Sequence, residues 1–591
     1  MRLNIHYGLL VLCSFATATI ADSFNTGATL DPEVYMKVVK IPPLARGDYD
    51  ELPNVVSLKN YVPPVGNQGS SGSCVGWSSV YAARTLAEQR RLNLSSPEQR
   101  LNSRFSPAYI YNQIRLNKQS CEDGSYVSAA LTLMRDQGVL PLAQFPYSDE
   151  YCYRLPTPSE KQQAAAFRID DFRRLGSRYH RSSLHLSTRK ALHRGHPVVI
   201  GMLVGESFMQ HEGSASVQFS SGDDLAYDNN SLQDYGGHAM TVIGYDDTKD
   251  GGAFEIMNSW GTDWGNKGFV WLKYHDYNRW VREAYELIPP PRIIPVPVVK
   301  KPQPNFTAEV RFIDFNGMEL PLKQVGNNSQ LVSGLGSGSR FRVELTMLDD
   351  SYLYILGADK ASNDHVVLFP HGQSVSPYIG RGETMLLPGP TEDYFTQLND
   401  VQGVDYFVVL MSRQPIDVTE VKRQLNSGKH LAIEQRLKAA IGEKLIAFGD
   451  VNHVSPAKLS AYLSNEHVLA NIVQMNHGKR RALGKDNNAP KIVIVSPEEE
   501  TTARHLENHN TNVRYVSGKE VILLGKAQDQ SLIQSVVIKQ AFEVKFSSRG
   551  AFRARIDISE LVGNGRMIID IDAIDAIGNR ANKKIILVRT H

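Results

Sequence analysis

Cysteine is scarce in this chain, with four thiols among 591 residues. That is too few for a disulfide scaffold or an array of zinc modules. An excess charge of one sign is also missing: 64 Lys and Arg stand against 62 Asp and Glu, for a net charge of +2. Without a basic stripe, a dedicated nucleic-acid binder is excluded. Beyond the first twenty or so residues, no run reaches the roughly 18 apolar residues that cross a bilayer. What is present is globular composition, with 42% apolar, 21% charged and 9% aromatic residues, which excludes disorder, collagen and coiled coil as descriptions of the whole. The length leaves room for about three or four domains of about 150 residues each.

The N-terminus carries an address. Met1 and Arg2 precede a short apolar core, Gly8 to Phe15, and then small residues through Ala21. That is the layout of a secretory signal peptide cleaved after Ala18 or Ala21. Bulky Leu12 immediately before Cys13 argues against a lipoprotein site. Residues 1–21 are therefore expected to be removed, leaving a soluble protein in the periplasm or outside the cell. Export alters the cysteine count. Cys13 leaves with the signal; Cys74, Cys121 and Cys152 remain, and an odd number in an oxidising compartment leaves one thiol to be explained.

Punctuation divides the rest. The proline-rich run 289–304 cannot form a helix or a central strand and is expected to be an extended spacer. Residues 22–49 are read as an N-terminal extension and 50–288 as one domain. Residues 305–416 alternate in short apolar runs separated by Gly and Pro turns, as in Phe341 to Leu345 and Tyr352 to Leu356, and are expected to be β-rich. From 417 to 487 the period becomes four, with Ile433, Leu437, Ile441 and Leu445, and Ser455-Pro456 reads as a helix start, so this part is expected to be helical. Residues 488–591 return to strands at sandwich spacing.

Chemistry concentrates in three places. Cys74 ends the segment Gly66-Asn67-Gln68-Gly69-Ser70-Ser71-Gly72-Ser73 and opens a helical pattern carried by Trp77, Val80, Tyr81 and Leu86. A thiol at a helix N-terminus is stabilised as thiolate, and with an imidazolium partner its pKa falls from about 8.5 to about 3–4. Gly236-Gly237-His238 stands at the mouth of an apolar strand, and Asn258-Ser259-Trp260-Gly261 follows another. Nucleophile, base and orienting amide thus occur in the order Cys, His, Asn.

These motifs resemble the papain family of cysteine peptidases over about residues 50–288. The Gln68-to-Cys74 segment, GGHAMTVIGY and NSWGTDWGNKGF each look like a family motif, and Phe105 to Asn112 and Gly138 to Tyr147 look like family segments. The resemblance implies an α+β papain-like domain with a helical lobe and a β-barrel-like lobe, followed by a β-rich domain, a helical segment and a C-terminal β-sandwich. It implies Cys74 as nucleophile, His238 as base and then acid, and Asn258 as the group that orients the imidazole. The amide of Gln68 and the Cys74 N–H would form an oxyanion hole, a donor whose loss costs about 100- to 1,000-fold in rate. Trp260 would shield the Asn–His bond, and Gly236 and Gly237 would let substrate backbone approach. Cys121 and Cys152 fall in the family's bridging region and are the expected disulfide.

The pattern departs from the family at two positions. Ser71 stands where a cysteine is usual, and Val75 where a tryptophan is. Residues 22–52 are also too short for the usual long inhibitory propeptide, so control is expected to differ or be absent.

Other clusters read more simply. His180, His185, His193 and His196 lie among Arg181, Arg189, Lys190 and Arg194, which would repel a metal, and the segment reads as a basic helix ending at Gly195. Asp570, Asp572 and Asp575 suit calcium chemically, but their alternation reads as a strand with carboxylates to solvent. No metal or cofactor is expected. Residues 305–415 resemble an uncharacterised bacterial domain, and the segment ending at Asn579 resembles bacterial immunoglobulin-like repeats; targeting, or binding a cell-surface or protein partner, is the work expected of them. The function expected is peptide-bond hydrolysis of a peptide or protein substrate through a thioester acyl-enzyme. Its alternatives are a catalytically silent binding module and an acyl transferase to amines.

Overall fold

The computed structural model describes residues 24–42, 44, 52–94, 96–176, 184–291, 303–314, 318–359, 364–372, 374–389, 396–428, 431–478, 490–496, 513–516, 520–528, 533–546, 551–559, 561, 565–575 and 580–589. The expected signal peptide, most of the proline-rich spacer, His180 and Arg181, and the Gly578-Asn579 turn lie outside them. The described chain forms two compact units, one of residues 1–38 with 53–290 and the other of 39–52 with 291–591.

The first unit has a helical side and a sheet side. Its helices include α1 (Pro32–Lys37), a continuous helix α2 built from the stretches Cys74–Gly76, Trp77–Arg84 and Thr85–Arg91, then α3 (Pro107–Ile114), α4 (Val127–Asp136) and α5 (Leu184–His193). Helix α3 begins where Ser106 accepts the Tyr109 N–H and Pro107 takes the first turn, which needs no amide donor there. The middle of α2 is wound as π-helix, a local form that often marks functional sites.

Seven antiparallel strands make the sheet: β1 (Val55–Ser57), β2 (Asp171–Arg174), β3 (Val198–Val204), β4 (Gly236–Asp246), β5 (Ala253–Met257), β6 (Phe269–Lys273) and β7 (Val281–Ile288). Their order is β2-β7-β3-β4-β5-β6, with β1 on β4. Strand β4 is buried from His238 to Tyr245, which explains its unbroken apolar run. One core joins both sides, bringing Val75, Val80, Ile110, Leu131 and Met134 of the helices against Val199, Ala239, Tyr285 and Leu287 of the strands.

The Cys121–Cys152 disulfide forms, with its Cα atoms 5.7 Å apart. The histidine-rich helix also has a partner that spacing could not reveal. His196 Nδ1 lies 2.8 Å from Glu286 Oε1, and Arg173 and Arg194 pair with the same carboxylate. His185 meets Asn278 instead.

In the second unit, an eight-stranded and a seven-stranded sheet enclose a core containing Phe306, Phe312, Phe341, Leu353, Phe407 and Val473. Lys40 bridges to Val375 and Leu44 to Met385, so the end of the N-terminal extension belongs here. Helices occupy Val418–Ser427 and Ile433–Ile441. The remainder of the stretch expected to be helical is different: Lys458–Ala461 and Val468–Gly478 are strands, the latter paired along Gly403–Ser412. Ser455 starts no helix; its hydroxyl accepts the Lys458 N–H in a turn, one of the local bonds that let serine serve turns as well as caps.

Beyond residue 490, two four-stranded sheets share a core that includes Leu523, Phe552, Ile569 and Leu587. Asn582 donates to both Asp570 and Asp572 across that sheet surface.

Candidate active site

Cys74 is the first residue of α2 and is fully buried. His238, third in β4, and Asn258, one residue beyond β5, are carried to it by the sheet. The Ala239 N–H points at the Cys74 sulfur, 3.4 Å away, so the histidine and the thiol stand where strand and helix meet.

His238 Nε2 lies 2.7 Å from Asn258 Oδ1. The Ser259 N–H donates to the same oxygen at 2.8 Å, which identifies that atom as the carbonyl side of the amide. Nε2 therefore donates, and the neutral ring keeps its lone pair on Nδ1. His238 Nδ1 is buried and has no hydrogen-bond partner. An imidazole held at one nitrogen and unpartnered at the other is ready to take a proton at the free one.

Gln68 is held from several sides. Its Oε1 accepts from Ser259 Oγ at 2.8 Å, and its Nε2 donates to Ser71 O and to Asn25 O at 2.9 and 3.1 Å. Its backbone N–H donates to Ser259 O, and its carbonyl accepts from Tyr147 Oη. Trp260 lies over the His238 ring. Where the usual cysteine is missing, Ser71 Oγ donates to the Cys121 carbonyl at 2.9 Å. Val75 is packed in the core.

One expectation about this site is reversed. The Cys74 thiol is pushed up to about 12, chiefly by burial, although backbone N–H groups pull the other way. Burial likewise brings His238 down to about 4, with the Asn258 bond opposing. Desolvation disfavours both charged forms and outweighs the helix N-terminus. The pair is neutral here.

The cover is the chain's own N-terminal segment, Phe24 to Leu30. The Phe24 ring stacks on Trp260 at 4.8 Å. The Asn25 carbonyl accepts from Trp260 Nε1 at 2.9 Å as well as from Gln68. The Gly27 and Ala28 N–H groups both donate to Gly237 O, while Ser125 N–H donates to Gly27 O and Thr29 N–H to Ser125 O. Both sides of the unit thus grip one extended segment. The approach demands glycine: a Cβ on Gly27 would stand 2.1 Å from Gly72 O, and one on Gly237 would stand 2.0 Å from Ala28 O. Gly236 faces Thr26 in the same way.

Ser259, Tyr147 and this segment were not singled out by sequence. Ser259 and Tyr147 lie inside motifs that could have pointed to them. Phe24 to Leu30 carries no chemical signature, and its placement is a long-range property.

Residues 52–286 match the family model described as papain family cysteine protease, and residues 335–415 match a domain of unknown function (DUF4384). Cathepsin K of Gallus gallus is 31% identical over 217 residues, covering 36% of this chain and 56% of that protein. Cathepsin K of Mus musculus is 29% identical over 223 residues, covering 37% and 59%. The chain thus spans a little over half the length of these curated relatives. Among solved structures, xylellain, a cysteine protease from Xylella fastidiosa, is 20% identical and covers 45% of this chain and 96% of its own, with a TM-score of 0.34.

Proposed function

Because residues 52–286 match the family model described as papain family cysteine protease, we propose that this chain hydrolyses peptide bonds with Cys74 as nucleophile and His238 as its base. The observation that carries the reading is the placement of His238, tied to Asn258 through Nε2 with Nδ1 free, beside a thiol at the start of a helix. When the N-terminal segment is out of the way, Cys74 passes its proton to His238 Nδ1 and its sulfur attacks the substrate carbonyl. The oxygen that gains charge is met by the Cys74 N–H and Gln68 Nε2, the donor now occupied by the Asn25 carbonyl. The C–N bond breaks, His238 returns the proton to the leaving amine, and water releases the acyl group from the thioester.

The substrate class is peptide or protein. The Cys121–Cys152 disulfide supports residence in an oxidising compartment, the periplasm or the exterior of a bacterial cell. The second unit, with its own core, is assigned to targeting or to a cell-surface or protein partner.

The test is incubation with an unstructured protein and a labelled amine, followed by mass spectrometry. Unlabelled new termini are expected. Labelled termini would move the assignment to acyl transfer, and intact substrate with a chain whose Cys74 is accessible to alkylation would leave a binding module.

A further inference from the structure

The loop 66–73 leads to both donors assigned to the oxyanion. One is the Gln68 amide; the other is the Cys74 N–H, which belongs to the peptide plane that Ser73 begins. The loop contains no cysteine and has glycine at 66, 69 and 72, so its backbone is pliant and no disulfide staples it. Hydrogen bonds hold it instead. Ser71 Oγ and the Gly72 N–H both donate to the Cys121 carbonyl at 2.9 Å, and the Ser70 N–H donates to Asp149 Oδ2 at 3.3 Å.

One hydroxyl ties the two functional ends of this loop together. Tyr147 Oη donates to the Gln68 carbonyl at 2.7 Å and lies 2.7 Å from Ser73 Oγ. A phenol has a single proton; with it given to the carbonyl, Ser73 Oγ is the donor of the second bond. The Tyr147 ring stands edge-on to Trp77 of α2, with centroids 4.9 Å apart and planes 78° apart. The hydroxyl is thus fixed against the helix that Cys74 begins. Its proton is spent on the loop, so it can orient the oxyanion donors but is not one of them.

We propose that Tyr147 is a positioning residue for the oxyanion site: its hydroxyl sets the spacing between the Gln68 amide and the Cys74 N–H and touches no substrate. The proposal rests on the reading of Cys74 as the working thiol.

An oxyanion is stabilised by donors already aimed, at about 2.7–3.1 Å, at the place where its charge appears. Two donors on a pliant loop converge on one oxygen only if the loop keeps its curvature, and Tyr147 spans that curve from residue 68 to residue 73. Without the hydroxyl both donors remain but sample a wider range of separations. The expected loss is about tenfold in kcat, less than the about 100- to 1,000-fold that removal of a donor costs. KM should hold, because acylation and deacylation each pass through an oxyanion and slow together.

The test compares Tyr147→Phe with its parent, both full-length and both carrying Gly27→Val, whose added side chain has no room beside Gly72 O and so clears the thiol. On an unstructured protein substrate, kcat should fall about tenfold at constant KM. A peptide aldehyde adds to the Cys74 sulfur without a leaving group and places its oxygen between the same donors; it should bind about tenfold more weakly. Iodoacetamide reacts by displacement at carbon and forms no oxyanion, so it should alkylate Cys74 at an unchanged rate. Alkylation slowed as much as turnover, or a kcat equal to the parent's, would overturn the assignment.

Two further comparisons do not depend on how Tyr147→Phe folds alone. Ser73→Ala removes the other half of the bridge and should weaken aldehyde binding while sparing alkylation. Tyr147→Phe should cost less beside Gln68→Ala than beside Gln68, because part of its effect passes through that amide. An unchanged aldehyde affinity in Ser73→Ala, or full additivity with Gln68→Ala, would also overturn the role. A wrong peptidase reading shows itself differently, as a parent that alkylates at Cys74 and cleaves nothing.

Discussion

Trp260 lies against His238 with ring centroids 4.3 Å apart and planes 23° apart, and it gives its indole N–H to Asn25 at 2.9 Å. The side chain proposed to shield the base also holds the N-terminal segment. Trp260→Ala should therefore act in two directions. Alkylation of Cys74 should become faster because the N-terminal segment loses the Phe24 stack and a hydrogen bond. Turnover of an unblocked variant such as Gly27→Val should become slower, because the Asn258–His238 bond becomes wet and weaker. A change in the same direction for both would separate the two roles assigned to this ring.

Cys74→Ala should abolish turnover and preserve the fold, which circular dichroism and a thermal scan check. In the original protein at pH 5.5, iodoacetamide should label Cys74 slowly, since a thiol pushed up to about 12 by burial is un-ionised there. In Gly27→Val it should label far faster. Rapid labelling of the original protein at acid pH would contradict the neutral pair.

His238→Ala should cost more than Asn258→Ala. A positioned general base contributes about 100- to 10,000-fold, and in the proposed reaction His238 supplies it at Nδ1. In the same proposal Asn258 transfers no proton and acts by holding Nε2, so its loss leaves a base in a wider range of orientations. Steady-state kcat in the Gly27→Val background checks the order. Equal losses in folded proteins would mean that Asn258 does more than orient.

Much of this site was legible because its chemistry is local in sequence. Cys74 follows Gln68 within one loop, His238 begins a strand, and Asn258 ends the next, so each motif announces its own element. The state of the thiol was not legible. A helix N-terminus argues for a low thiol pKa, but burial wins. That outcome depends on contacts between positions more than forty residues apart. The ion cluster at Glu286 escaped for the same reason. His196 and Arg194 follow the end of α5, Arg173 comes from β2 and the carboxylate from β7. In the second unit, the period of four found the helix Ile433–Ile441, whereas Ser455-Pro456 misled because serine caps turns as readily as helices.

Glu286 makes a stability prediction. Its carboxyl is buried, and the Arg173 and Arg194 guanidiniums with His196 hold it well below the usual carboxylate range. A depressed folded value contributes stability above the unfolded value near 4.3, and that contribution is lost as pH falls through the folded value. Glu286→Gln leaves two buried cations without their counter-charge and should cost about 3–5 kcal/mol at pH 7. The loss should shrink in strong acid, where the original carboxyl is also protonated. Urea titrations of both proteins at pH 7 and pH 3 measure the difference; an equal loss at both would remove the electrostatic account.

The last prediction concerns Cys121 and Cys152, which are 31 positions apart and enclose α4. On a chain-entropy model, closing a loop of this length restricts the unfolded chain by about 3–4 kcal/mol, less any strain in the folded state. The bridge also holds the loop whose Cys121 carbonyl accepts from Ser71 Oγ and from the Tyr111 hydroxyl. The same loop supplies Ser125, which grips Gly27 and Thr29 of the N-terminal segment. Replacing both cysteines by serine should thus lower the melting temperature of the first unit and speed alkylation of Cys74, while leaving Cys74, His238, Asn258 and Gln68 chemically complete. Mass mapping without reductant should find Cys121 joined to Cys152 and Cys74 free. An unchanged melting temperature would show that the loop is held by its hydrogen bonds alone, and a bridge to Cys74 would remove the nucleophile from the proposal.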